Sequence, residues 1–312
     1  MENIMDNRKI LNQASQAASC VIIAAYIIGL VLPNFINQFS LSIINFAIST
    51  IIGIIFFYCF FYLFEKSFSR MYSQTRYFHF YLTSFIFGQI TQWAFCTIVL
   101  QKDYFLLSLK VFLFNNIIFH LGEFYFVCLS HPKDLAWKSF LINHSPAYNI
   151  AFVVALLEYI LGAFFPDFIL FYFHDKFIFI MIGAIFSIFG HFMRIAAQQT
   201  AKSNFNHLVQ NQKSEDHVLV THGVYSFSRH PSYLGFFSYS LGGQIILGNI
   251  FCFFAYAFVL YKFFLYRIVQ EEHYLVKFFG QQYIEYSKIV PIRIPFMEYA
   301  IHKVFQYDDD DD

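Results

Sequence analysis

The sequence predicts an all-α integral membrane protein of about eight transmembrane helices; three observations carry that prediction. Composition is the first: 58% of the residues are hydrophobic, 22% aromatic and only 13% charged, where an average water-soluble domain carries about 25% charged residues. The second is that apolar runs close to the roughly 20 residues needed to cross hydrocarbon recur along the chain. The third is that those runs lack the alternating polarity of a membrane β-strand, and a helix satisfies its own backbone groups in lipid where an open sheet does not.

In chain order the runs are Ala18 to Phe35, Leu41 to Phe64, Tyr77 to Leu100, Tyr104 to Leu129, Tyr148 to Phe165 and Phe177 to Ala197. Two shorter ones follow, Tyr233 to Leu247 and Ile250 to Arg267, joined through Gly248 and Asn249 as a helical hairpin would be. Lysine and arginine set the expected orientation. With the N-terminus cytosolic, the loops on that side carry Arg8, Lys9, Lys66, Arg70, Arg76, Lys133, Lys138, Lys202, Lys213 and Arg229, and the tail adds Lys277, Lys288, Arg293 and Lys303. The opposite loops carry Lys102 and Lys176. Both termini are therefore expected in the cytosol. The first apolar run lacks a clearly basic leader and a small-residue cleavage site, which favours a retained helix over a signal peptide. Cys20, Cys59, Cys96, Cys128 and Cys252 are scattered singly, without the paired spacing of a metal or redox site, and are expected to be packing residues. Asp308 to Asp312 is expected to be a solvated tail or an expression remnant.

The pattern changes after Ala197. "QQTAKSNFNHLVQNQKSEDHVLVTHGVYSFSRHPS" is polar and of mixed charge, yet Phe205, Leu208, Val209, Val218, Leu219 and Val220 recur through it, so it is expected to fold against something. "DHVLVTHGVY" suggests a short extended piece turned at Gly223, and Pro231 suits the first turn of the next helix with Ser228 a candidate cap. A second polar stretch, "RIVQEEHYLVKFFGQQYIEYSKIVPIRIPF", continues the last membrane run as an amphipathic helix, pauses at Gly280, resumes and ends at Pro291 and Pro295. Residues 1–138 are thus expected to be a helical framework and residues 139–312 the working region, with its polar groups gathered at one membrane edge.

The runs "TAKSNFNHLVQNQKSEDHVLVTHGVYSFSRHPSYLGFFSYSLGGQIILGN", "EEHYLVKFFGQQYIEYSKIVPIRIPF" and "SFLINHSPAYNIAF" resemble the isoprenylcysteine carboxyl methyltransferase family over about Ser139 to Phe296. "SNFNH" with "QNQKS" is the more specific part, because RHPxYxG followed by EExxL also occurs in phospholipid methyltransferases and, varied, in sterol reductases. The resemblance implies an enzyme of the endoplasmic reticulum membrane. It would transfer methyl from S-adenosyl-L-methionine to the α-carboxylate of a farnesylated or geranylgeranylated C-terminal cysteine, exposed on processed CaaX proteins. It also implies a cytosolic cofactor pocket formed by the C-terminal half, lined by His217, Leu219, Val220, Gly223, Tyr225, Arg229, His230, Pro231 and Tyr233, to which Gln210 and Val218 of the same segment are added.

The chemistry can be compared with these residues directly. An α-carboxyl group has a pKa of roughly 3.3 to 3.7, so the nucleophile is already ionised and needs no general base. Placing it in line with the methyl group can supply on the order of 7 to 11 kcal/mol in the best cases. A guanidinium bonds both carboxylate oxygens at once, which makes Arg229 and Arg267 catalytic candidates. Glu271, one turn beyond Arg267 and able to pair with it, is the third. Glu272 is expected to meet the cofactor's ribose or ammonium group, and Tyr225 and Tyr233 offer faces to a cation. Glu158, inside an apolar run, is a substrate-site candidate by its mere presence there, either touching substrate or pairing with His144, Arg194 or His191. Asn143 and His144, at the entry to that run, are placed on the lipid-side access route. No metal site is expected. The alternative enzyme reading is a phospholipid (phosphatidylethanolamine) N-methyltransferase; a transporter reading fits less well, since its polar groups would sit at mid-membrane in related halves.

Overall fold

The computed structural model describes residues 2–36, 43–64, 73–98, 104–142, 145–165, 177–205, 209–213 and 217–301, and among them there is no β-strand. Each apolar run falls on a helix: α1 (Glu2–Ile36), α2 (Ile43–Phe64), α3 (Gln74–Ile98), α4 (Tyr104–Ser130), α5 (Pro146–Phe164), α6 (Phe177–Ala201), α7 (Pro231–Leu247) and α8 (Ile250–Phe279). A short α9 (Gln281–Ile289) follows. By length and composition, four described stretches suffice to cross a membrane: Lys9–Val31, Leu106–Ser130, Phe177–Asn204 and Ile250–Phe279. Ile48–Cys59 and Pro146–Gly162 are shorter apolar helices.

The chain forms two compact units, Met1–Asn149 and Ile150–Asp312. In the first, α1 lies against α3 at two close approaches, Gly29 over the Phe85 backbone and Gly88 over the Tyr26 backbone. Tyr26 Oη donates to Thr91 Oγ1 at 3.0 Å across the same contact. The Phe124 ring stacks on Phe140, centroids 4.0 Å apart, and fastens the segment after α4 to that helix. Lys110 and Glu123, both on α4, are buried in this unit.

In the second unit, α6 and α7 pack antiparallel along small residues. Gly183 faces Gly242 and Gly190 faces Gly235, so closely that a Cβ on any of the four would stand 2.5–2.7 Å from backbone or side-chain atoms of the other helix. The other face of α6 exposes Ile178, Ile182, Ile185, Phe189 and Phe192, which fits hydrocarbon. α7 is different: its serines, glycines and Gln244 are nearly all buried, because a helix with so little side-chain bulk packs inside a bundle. It ends at Gly248 with φ 71°, and α8 returns after Asn249, as the hairpin reading expected.

α8 is one continuous helix, about 45 Å long at 1.5 Å per residue, so the expected membrane run and amphipathic run are a single element. Phe251, Phe254, Phe258, Phe263 and Tyr266 are exposed along it, while Phe264 and Ile268 enter a core with Leu234, Phe237, Leu241, Ile292, Ile294, Met297 and Ile301. The chain breaks at Gly280 (φ 54°, ψ −133°) before α9, and residues 290–301 then fold back onto α7 and α8 as a strap.

Candidate active site

The turn before α7 and the end of α8 meet at one buried carboxylate. Pro231 occupies the first turn of α7, where a missing N–H costs nothing, and this start sets Arg229, His230 and Tyr233 at the helix mouth. Ser228 does not cap α7 as expected: its hydroxyl donates to Ile292 O at 2.7 Å and ties the turn to the strap.

Glu272 is the hub. Its Oε1 accepts from Arg229 Nε at 3.1 Å and from Tyr283 Oη at 2.6 Å, and lies 2.7 Å from His230 Nε2. A contact that short to a carboxylate requires the proton on Nε2. Oε2 lies 3.4 Å from Arg229 Nη2. Three residues, two from the turn before α7 and one from α9, thus converge on a side chain that is only 7% exposed.

Arg229 has its fork filled by the protein. Nη1 donates to Val290 O at 2.6 Å and Ser287 O at 3.0 Å, and both Nη1 and Nη2 reach Glu298 Oε1 at 3.1 Å. Burial pushes the guanidinium pKa down, but the Glu272 charge and hydrogen bonds, with Glu298, push it further up, and the net direction is upward. Arg229 is one of the two arginines, with Arg267, that the sequence offers to hold a substrate carboxylate. Every N–H of its guanidinium instead has an acceptor within the protein, because two carboxylates and two carbonyls enclose it.

At the rim stands a second layer. Tyr233 Oη donates to Glu271 Oε2 at 2.6 Å and accepts from Arg267 Nε at 2.9 Å, so Arg267 and Glu271 are joined through a phenol. His230 stacks on Tyr233, interplanar angle 10°, and the Arg267 guanidinium carbon lies 5.6 Å from the same ring's centre. Glu271 and Arg267 are half-buried and so reach toward solvent where Arg229 and Glu272 do not. The Glu271 carboxylate beside the Tyr233 ring suits a cationic sulfonium or ammonium, and the half-buried guanidinium of Arg267 suits an incoming carboxylate.

The residues predicted from the turn and the segment before it are placed as follows. Gly223 opens a 3-10 turn with φ 61°, and Tyr225 follows in it, its carbonyl accepting from Tyr286 Oη at 2.6 Å. Burial, then the Glu271 charge, raises the Tyr225 hydroxyl pKa; burial and the Glu272 charge raise that of Tyr283, so both stay protonated donors. Residues 217–220 have no regular structure. His217 sets its ring edge-on to Phe279, Val218 donates its N–H to Asn204 Oδ1 at 3.1 Å, Leu219 packs on the Tyr283, Tyr286 and Val290 cluster, and Val220 is half-buried. Gln210 is exposed.

Glu158 is not brought to this centre. Its oxygens accept the N–H groups of Phe251 at 2.9 Å and Cys252 at 2.7 Å, capping the start of α8, where a negative charge is favoured. Twenty residues of helix place that end about 30 Å from Glu271. The carboxylate meets backbone rather than His191 or Arg194. Asn143 and His144 lie outside the described residues. Tyr283 and Glu298, which sequence reasoning passed over, are part of the centre; the amphipathic pattern of "QQYIEY" signalled a buried Tyr283, and no local pattern signals Glu298.

A sequence profile described as the isoprenylcysteine carboxyl methyltransferase (ICMT) family matches residues 181–277. The chain is 42% identical over 186 residues to the protein-S-isoprenylcysteine O-methyltransferase of Dictyostelium discoideum, covering 59% of this chain and 76% of the relative. It is 47% identical over 182 residues to that of Tribolium castaneum, and there the match covers 58% of this chain but only 63% of the relative's length. A solved structure described as the eukaryotic intramembrane Ras methyltransferase ICMT superposes with a TM-score of 0.78 at 33% identity, covering 91% of this chain and 98% of that one.

Proposed function

This chain belongs to the isoprenylcysteine carboxyl methyltransferase family, and from that premise we propose that it transfers a methyl group from S-adenosylmethionine to the C-terminal α-carboxylate of a prenylated cysteine. The observation that carries the reading is the layered centre, a buried Glu272 knot beneath a half-buried Arg267, Tyr233 and Glu271.

The donor supplies an electrophilic methyl carbon on a sulfonium. A carboxylate oxygen forms the new C–O bond as the C–S bond breaks, its electron pair staying on sulfur, and no proton moves. The protein's work is therefore placement. Arg267 meets the substrate carboxylate, because its guanidinium stands at the rim while that of Arg229 is enclosed. Its hydrogen bond to Tyr233 keeps the fork aimed and part of its charge shared, so the nucleophile is oriented without being neutralised. Glu271 and the Tyr233 face favour the donor's positive charge. Arg229, Glu272, His230 and Tyr283 hold the α7 mouth against α8 and α9, so that the rim keeps its geometry. His217, Val218, Leu219, Val220, Gly223, Tyr225 and Gln210 form the donor's cytosolic side, with Pro231 fixing the helix start. Asn143 and His144 belong to the lipid entrance, and Glu158 secures α8 from its other end.

In this reading about eight helices sit in the endoplasmic reticulum membrane with both termini cytosolic, residues 1–138 as framework and residues 139–312 as catalytic region. The isoprenoid enters between helices from lipid and the donor from water. The substrates are farnesylated or geranylgeranylated proteins, Ras-like ones among them. Purified protein in nanodiscs, given N-acetyl-S-farnesylcysteine, N-acetylcysteine and phosphatidylethanolamine, should methylate the first alone. Methylation of the lipid amine would move the assignment to a phospholipid methyltransferase.

A further inference from the structure

The strap after α9 lies beyond residues 181–277, yet it closes the Arg229 knot along the Nη1/Nη2 edge of the guanidinium, next to the edge that Glu272 holds. Its backbone is stitched to the turn by Arg229 N–H to Pro291 O at 3.2 Å and by Ser228 Oγ to Ile292 O at 2.7 Å. Its apolar residues Ile292, Ile294, Met297 and Ile301 are buried. At its end Glu298 turns back: Oε1 accepts from both Nη1 and Nη2 of Arg229 at 3.1 Å, and Oε2 accepts the Ile292 N–H at 2.8 Å. One carboxylate therefore joins the guanidinium to the strap's own backbone.

We infer that Glu298 is a positioning residue for methyl transfer, acting through Arg229 and Glu272 on the rim, while the apolar residues of the strap serve packing alone. The inference rests on the methyltransferase reading. Two carboxylates share one guanidinium, and they differ in access: the Glu298 side chain is 35% exposed and that of Glu272 is 7%. Glu272 keeps Tyr283 and His230 as partners when Glu298 is lost, so it stays within the knot, but its Oε1 is shared with Arg229 Nε and shifts as the guanidinium shifts. Nη1 keeps Val290 O and Ser287 O, but Nη2 loses its 3.1 Å acceptor and keeps the 3.4 Å contact to Glu272 Oε2, so the guanidinium can pivot about Nη1 and pull on its bond to Glu272. Glu272 Oε1 also contacts His230, whose ring stacks on Tyr233, the partner of Arg267. Rotation at Arg229 is thus transmitted to the Arg267–Tyr233–Glu271 rim through two contacts. A partly exposed carboxylate can be removed with water taking its place, so the fold survives its loss while the alignment does not.

The test compares Glu298→Ala and Glu298→Gln with Ile294→Ala, which loosens the strap's packing without touching Arg229. Full-length proteins in nanodiscs are assayed for kcat, for KM of donor and of farnesylcysteine separately, for donor binding by calorimetry, and for unfolding midpoint. Glu298→Ala is expected to lower kcat about tenfold or more, to weaken donor binding several-fold, and to leave the farnesylcysteine KM within about twofold and the midpoint nearly unchanged. Glu298→Gln, which keeps an acceptor for Ile292 N–H, should fall between it and wild type. Ile294→Ala should show the reverse, a lowered midpoint with kcat kept at temperatures well below it. Wild-type kinetics and donor binding in a folded Glu298→Ala protein would overturn the inference, as would loss of activity in strict proportion to loss of stability across all three variants. Absence of transfer by wild type would instead count against the methyltransferase reading, and the donor-binding comparison would still decide the role of Glu298.

Discussion

Glu272→Gln is the substitution whose consequence the structure lets one work out most fully. The amide keeps the shape of the side chain, so no cavity opens. It removes the charge facing Arg229 and turns one end of the group into a donor. If the amide oxygen keeps the Oε1 place, serving Tyr283, His230 and Arg229 Nε, the NH2 faces Arg229 Nη2, donor against donor at 3.4 Å. Removing one partner of a buried ion pair costs about 3–5 kcal/mol. Here Glu298 and two carbonyls still hold the guanidinium, so the lower end, about 3 kcal/mol, is expected. For a unit of this size that corresponds to a fall of roughly 6–12 °C in the unfolding midpoint, at about 2–4 °C per kcal/mol. Glu285→Gln on the exposed face of α9 is the control and should move the midpoint little, since surface changes stay within about 0.5 kcal/mol. The assay is thermal unfolding in nanodiscs with donor binding measured in parallel. A Glu272→Gln midpoint within about 2 °C of wild type would show that the knot does not hold α7, α8 and α9 together.

Arg267→Ala should lower kcat/KM for the prenylated substrate by about 100-fold or more while leaving the midpoint close to wild type, since the side chain is half-buried at the rim; near-normal transfer would remove Arg267 from the carboxylate contact. Gly190→Ala places a methyl group about 2.5 Å from Tyr239 N and should cost about 1–3 kcal/mol by prying α6 from α7. Gly122→Ala, with nothing within 4 Å of the new Cβ, should be neutral or slightly stabilising, and equal effects would refute the close-packing account. His217 has its pKa lowered from 6.5, first by burial and then by Lys213, against an opposing effect of Glu271. The folded state then binds fewer protons than the unfolded one just below pH 6.5, and stability is lost as pH falls through that window. Between about pH 7.5 and 5.5 the wild-type midpoint should therefore fall more than that of His217→Gln, and parallel curves would contradict it.

How much of this was legible in the sequence depended on whether the determining contacts were local. The helices α1 to α8 were, because each contains an apolar run, and so were the breaks at Gly248 and Gly280, where the backbone adopts positive φ. The cluster Arg229, His230, Tyr233, Glu271 and Glu272 was nominated as a set, since both its halves are short motifs. Roles within the set were not legible. Arg229 looks like a free clamp until Glu298, Ser287 and Val290 are seen around it, and those partners lie 58 to 69 residues away in the chain. Glu158 stood out as a carboxylate in an apolar run, to touch substrate or to pair with a nearby histidine or arginine, whereas it caps two N–H groups at the start of α8 more than 90 residues on. Ser228 sat at the right distance to cap α7 but found Ile292 O instead. In each case a long-range contact decided the outcome, and sequence spacing carries no record of such contacts.

The central claim is that this centre delivers a methyl group to a carboxylate tethered to lipid. The measurement that tests it most directly uses donor labelled in the methyl group, the full-length protein in nanodiscs and N-acetyl-S-farnesylcysteine, followed by treatment of the product with base. Label released as volatile methanol, in wild type and much reduced in Arg267→Ala, is the predicted result, because only an ester yields it. Label that resists base, or that appears in phosphatidylethanolamine rather than in the prenylcysteine, would contradict the claim.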